Sequence, residues 1–92
     1  MLPPRFADGW VLRRGGPPYR YEHEHSTLDV EIHPRANRAV AFEDVQKFRP
    51  IYGVTAFQYD RWFIICRGTG IEQNSFLELV RNLRDEWLRG SE

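Results

Sequence analysis

The chain predicts a small α+β domain, a mainly antiparallel β-meander of about six strands packed against one C-terminal amphipathic helix. Three observations carry that prediction. Residues 19–33 alternate so that tyrosines and branched aliphatics fall on one face and carboxylates on the other. Residues 62–66, Trp-Phe-Ile-Ile-Cys, are apolar on both faces, as in a strand covered on both sides. Phe76, Leu79, Val80, Leu83 and Trp87 recur at helical spacing. A length of 92 residues admits one domain around a single core.

Residues 1–8, with Pro3 and Pro4, read as an extended N-terminal segment, and residues 9–67 as the sheet. The first strand is expected over 9–14, where Gly15-Gly16-Pro17-Pro18 breaks it because proline removes amide donors. Strands two and three, 19–25 and 28–33, flank Ser26-Thr27, and strand four, 39–43, follows Pro34-Arg35-Ala36-Asn37-Arg38. Residues 44–50 form a connection with room for one helical turn that sets Val45 beside Phe48 and stops at Pro50. A final hairpin, 52–58 and 61–67, turns at Tyr59-Asp60, and its doubly apolar second strand belongs centrally in the sheet or under a second layer.

Ser75-Phe76-Leu77-Glu78 has capping-box spacing and starts a helix over 75–89, with Gly90 as its stop. Leu77 and Leu88 flank its apolar stripe, whose burial contributes roughly 7 to 15 kcal/mol before entropy. Glu78 with Arg81, Arg81 with Asp85, and Asp85 with Arg89 are expected to pair on the opposite face.

An even-numbered loop after strand two puts Tyr19, Tyr21, His23 and His25 on the core face with Leu28, Val30 and Ile32. Trp10, Leu12, Val40 and Phe42 join them if the neighbouring loops have matching parity. The outer face then carries Arg13, Arg20, Glu22, Glu24, Asp29, Glu31 and His33. A two-residue turn at Ser26-Thr27 sets Glu24 opposite Asp29 and Glu22 opposite Glu31, pairs that each cost about 0.2 to 1 kcal/mol. Solvent with neighbouring arginines, a two-residue register shift that brings Arg20 to Glu31, a basic partner surface or a divalent cation would relieve them. Arg13, Arg14, Arg20, Arg35 and Arg38 fall toward one rim of the meander, where guanidinium groups could hold phosphate or an acidic peptide.

Zero formal net charge argues against a uniformly electropositive nucleic-acid binder, so any charged partner must read a patch. Lys47 is the sole lysine among 13 basic residues, and the arginine bias favours bidentate contacts. Cys66 is the only cysteine, which excludes an intrachain disulfide and fits a reducing, cytoplasmic setting. Residues 1–5 lack the apolar core of a signal peptide, and no stretch approaches the roughly 20 apolar residues of a membrane span.

Complete catalytic signatures do not emerge. His23 and His25 have the strand spacing of two metal ligands, but parity surrounds them with aliphatics and puts His33, Asp29 and Glu31 on the other face, so no metal is assigned. Cys66 alternates with Trp62 and Ile64 and reads as a buried, unreactive thiol. Arg67-Gly68-Thr69-Gly70 completes no phosphate-loop pattern, so no cofactor is expected. An acid/base pair of His33 with Asp29 or Glu31 keeps an enzyme conceivable without a pocket to support it. Trp10, Tyr52, Phe57, Tyr59, Trp62 and Trp87 would make a base-stacking platform only if several faced outward.

The opening Gly9-Trp10-Val11-Leu12-Arg13-Arg14-Gly15-Gly16 and the closing helix with Trp87 resemble the two ends of a pleckstrin-homology domain. Six countable strands stand where that family has seven, and Tyr19-Arg20-Tyr21-Glu22 departs from its second strand, so no site is carried over. The expected function is non-enzymatic binding of a protein partner, as an adaptor, inhibitor or regulator. Recognition would use the charged outer face (Glu22, Glu24, Asp29, Glu31, Arg13, Arg14, Arg20, Arg35, Arg38) or an unpaired sheet edge. The alternative is nucleic-acid or phosphate-ligand binding at the arginine rim, and self-association into a homodimer is a further expectation.

Overall fold

A computed structural model describes residues 2–7, 9–16 and 18–90. Met1 and Asp8 of the expected N-terminal segment and Pro17 of the expected first loop lie outside the described residues. The chain forms six antiparallel strands and a C-terminal helix, an α+β fold, with one further helix inserted before the last two strands. The elements are β1 (Arg5–Phe6), β2 (Trp10–Arg14), β3 (Tyr19–His23), β4 (Ser26–Pro34), α1 (Arg38–Lys47), β5 (Val54–Tyr59), β6 (Trp62–Thr69) and α2 (Gln73–Gly90). The sheet order is β1-β2-β3-β4-β6-β5. The meander therefore holds through β4, after which α1 carries the chain past β6 to the far edge.

Two assignments change at the element level. The strand expected over 39–43 is the body of α1, and the sixth strand is instead β1, which pairs Arg5 with Val11 and Phe6 with Trp10. The helix forms because the Asn37 side chain accepts from the Val40 amide at 3.0 Å and caps its first turn. Helical geometry buries Ala41 and leaves Val40 and Phe42, expected on the core face, 36% and 52% exposed.

The turn between β3 and β4 sits at Glu24-His25 rather than Ser26-Thr27, with Glu24 at a φ of 55°. This moves the register four residues from the expected pairing, so that Arg20 faces Asp29, Tyr21 faces Leu28 and Glu22 faces Thr27. An even slip preserves parity. Tyr21, Leu28 and Val30 are fully buried on the inner face, joined by Ile64 and Cys66 from β6. His25 leaves the core face for the exposed turn.

Along α2, Phe76, Leu79, Val80, Leu83 and Trp87 are all buried against that inner face. The helix starts two residues before the expected cap. The Glu72 carboxylate accepts from the amides of Asn74 and Ser75 at 3.1 and 3.2 Å, and those bonds hold its pKa below the usual carboxylate range. None of the three expected ion pairs is among those of the described residues; Arg89 pairs with Glu86 at 2.8 Å instead. The doubly apolar strand β6 lies between β4 and β5 with a helix over each face. Its outward Phe63 is buried beneath α1, in edge contact with Phe48 at 6.1 Å.

Candidate functional site

Outside α1, the outer face carries arginines and carboxylates on β2, β3, β4 and β6. Asp29 is flanked across the strands by Arg20 and Arg67. Arg20 grips Asp29 through Nε at 2.7 Å and a second nitrogen at 3.1 Å, a bidentate bond that raises the Arg20 pKa. Arg67 Nε donates to Glu31 at 2.7 Å, and His33 lies 3.3 Å from the other Glu31 oxygen. The Arg67 bond, ahead of the His33 contact, lowers the Glu31 pKa. Arg13 lies 3.9 Å from Glu22. The like-charge pairs expected from the Ser26-Thr27 turn are absent, since the shifted register gives Glu22, Asp29 and Glu31 an arginine each.

The expected arginine rim divides in the same manner. Arg35 bonds Asp44 of α1 and stands over the Phe63 ring at 5.3 Å, which anchors the helix to the sheet. Arg14 pairs across the ladder with Arg20, and Arg38 opens α1 and accepts from Gln58 through its backbone carbonyl at 2.7 Å. Glu24 lies in the β3–β4 turn, away from the Asp29 and Glu31 positions it was expected to adjoin. His23 packs on Trp10 at 5.4 Å, and Cys66 is fully buried, its thiol pushed up to about 12 by desolvation.

The best-formed recognition feature lies at the β5 edge. Among the described residues, β6 is the only strand paired with β5. The Gly68 amide donates to the Gly53 carbonyl at 2.8 Å, which sets the phase of the antiparallel ladder. Phe57 and Tyr59 thus direct their backbone groups at β6, while Val54, Ala56 and Gln58 direct theirs away from it. Val54 exchanges both of its bonds with Ile51 at 3.0 and 3.2 Å, which leaves Ala56 and Gln58 as the outward-facing peptide groups.

At this upper end the edge forms the floor of a groove of about 660 Å³, walled by Phe42 of α1 on one side and Leu88 of α2 on the other. Phe42 is 52% and Leu88 41% exposed. Arg38, Glu43 and Asp60 rim the groove. Local pattern does not show this combination, because residues 39–43 fit a strand with Phe42 inward and the identity of the edge strand depends on a crossover no local pattern encodes. Leu88, flanking the helical stripe, was its one visible signal.

Comparisons with protein-family models, curated proteins and solved structures find no match to the chain. The likeness of its two ends to a pleckstrin-homology domain therefore rests on local pattern alone, and the helix between β4 and β5 departs from it. No helix among the described residues is long and apolar enough to cross a membrane.

Proposed function

We propose that this protein is a non-enzymatic binding module that takes up an extended segment of a partner protein beside β5, as an adaptor, inhibitor or regulator in the cytoplasm. The observation that carries the reading is the outward edge of β5, where the Gln58 peptide lies in the groove between exposed Phe42 and Leu88 and the Ala56 peptide, one step along the strand, also faces away from β6. Unpaired strand groups accept another extended backbone in a fixed register, and side chains projecting to alternate faces supply selectivity. A strand added here turns one side chain toward Phe42 and the next toward Leu88. The fitting ligand thus carries two neighbouring apolar residues, with polar residues outside them to meet Arg38, Glu43 and Asp60. The paired charges of the outer face play a smaller part, because a partner would first have to displace bonds those groups already make.

Displayed random heptapeptides selected against the full chain provide the test. Adjacent apolar residues should be enriched, and a selected synthetic peptide should bind at least tenfold more weakly to the Ala56→Pro and Phe42→Glu variants. Proline at position 56 removes an amide that faces away from β6, a position where edge strands tolerate it. Peptides that bind both variants as tightly as the parent would overturn the reading. So would salt-sensitive oligonucleotide binding untouched by both changes, with no peptide selected.

A further inference from the structure

The two halves of the sheet differ in length, and the mismatch leaves a cavity. β3 begins at Tyr19 opposite Val30, whereas β4 continues to Pro34 beside β6. Four residues of β4 thus extend past the end of β3. On the inner face of this step, Ile32 has Ile64 as its neighbour on β6 and no strand on its other side. The space beside it, about 710 Å³, is bounded by Leu12 and Tyr19 at the step, Tyr59 and Trp62 at the last hairpin, and Trp87 of α2. Leu2, Pro4 and Gly15 complete its lining, so among the described residues no charged side chain contributes to it.

We propose that this cavity is a binding site for a small uncharged molecule built around an aromatic ring system, a second site that shares only Tyr59 with the lining of the β5-edge groove. The volume lies within the roughly 300 to 1,000 Å³ typical of small-molecule sites. Leu12, Tyr19, Ile32, Tyr59 and Trp62 pack on the core yet remain only partly buried, so an apolar occupant would complete their removal from water. The chemistry of the walls selects the ligand. Tyr59 and Trp87 stack at 5.2 Å with 15° between their planes, and Trp62 adds a third aromatic surface, which suits a flat ring partner. A charged ligand would lose its hydration with no opposite charge in the lining to replace it.

The neutral fluorophore N-phenyl-1-naphthylamine and its anionic relative 1-anilinonaphthalene-8-sulfonate test site and charge selection together. The neutral probe should bind the full chain with 1:1 stoichiometry, raise its melting temperature, and bind at least tenfold more tightly than the anion. Ile32→Trp, which fills the space, should weaken the neutral probe at least tenfold. Should that variant fail to fold, Gly15→Trp serves in its place, since a Cβ at Gly15 meets nothing within 4 Å. Ala56→Pro should leave the probe's affinity unchanged, which separates this site from the edge groove. Absence of saturable binding, equal affinity for the anion, or full affinity in the filled variant would overturn the proposal.

Discussion

Gly68 occupies the inner face of β6, where a Cβ would stand 2.5 Å from Cδ1 and 2.9 Å from Cε1 of Phe76. That ring is fully buried in the α2 stripe and cannot swing out to make room. Gly68→Ala should therefore cost about 1 to 3 kcal/mol through overpacking. Urea denaturation would measure the loss, and Phe76→Leu in the same chain should recover part of it. Equal stability of Gly68→Ala and the parent would show that helix and sheet can separate there without cost. From the sequence alone, Gly68 belongs to a glycine-bearing connection; the contact that requires its small size exists only once α2 lies on the sheet. The face assignment of Tyr21, Leu28 and Val30 was legible because any even slip conserves it. Their exact partners were not, because Glu24-His25 carries no turn signature and Ser26-Thr27, beside it, does.

Among the elements, α1 and α2 show when a periodic pattern can be read. In α2 five large side chains repeat over three turns, and no strand could bury them all on one face. In α1, Ala39-Val40-Ala41-Phe42 alternates small and large over only four residues, which fits a strand as well as a helix. Capping and tertiary anchors settle the matter through the Asn37 bond to Val40, buried Ala41, the Phe48 contact with Phe63 and Arg35 with Asp44. A helix held by so few contacts depends on its cap. Asn37→Ala should remove about 1 kcal/mol from α1, near the centre of the measured range for such caps. Hydrogen exchange would register this as roughly fivefold faster exchange of the α1 amides, with the β4 and β6 amides slowed or hastened little. Uniform acceleration across sheet and helix would instead mean that α1 opens only with the whole molecule.

For the molecule as a whole, the first residues of the chain help close the core against the last helix. Leu2 and Phe6 are 7% and 3% exposed, and β1 touches α2 as well as pairing with β2. Phe6 meets the Tyr21 ring edge-on at 4.7 Å and stacks on Trp10 at 6.3 Å. The Tyr21 hydroxyl donates to the Pro3 carbonyl at 2.6 Å, and the Leu12 amide to that of Pro4 at 2.9 Å. Two prolines and a two-residue strand offer no periodicity, so this closure could not be read locally. Its energetic weight is that of core. Phe6→Ala should cost about 3 to 5 kcal/mol, a large part of the roughly 5 to 15 kcal/mol that holds a domain folded. For a chain of this size, even 3 kcal/mol corresponds to a melting temperature roughly 12 °C lower or more. Far-UV and near-UV circular dichroism should lose signal together, because Phe6 holds the inner face of the sheet and α2 in one cooperative unit. A melting temperature within about 2 °C of the parent, with only the first strand frayed, would assign β1 to the periphery.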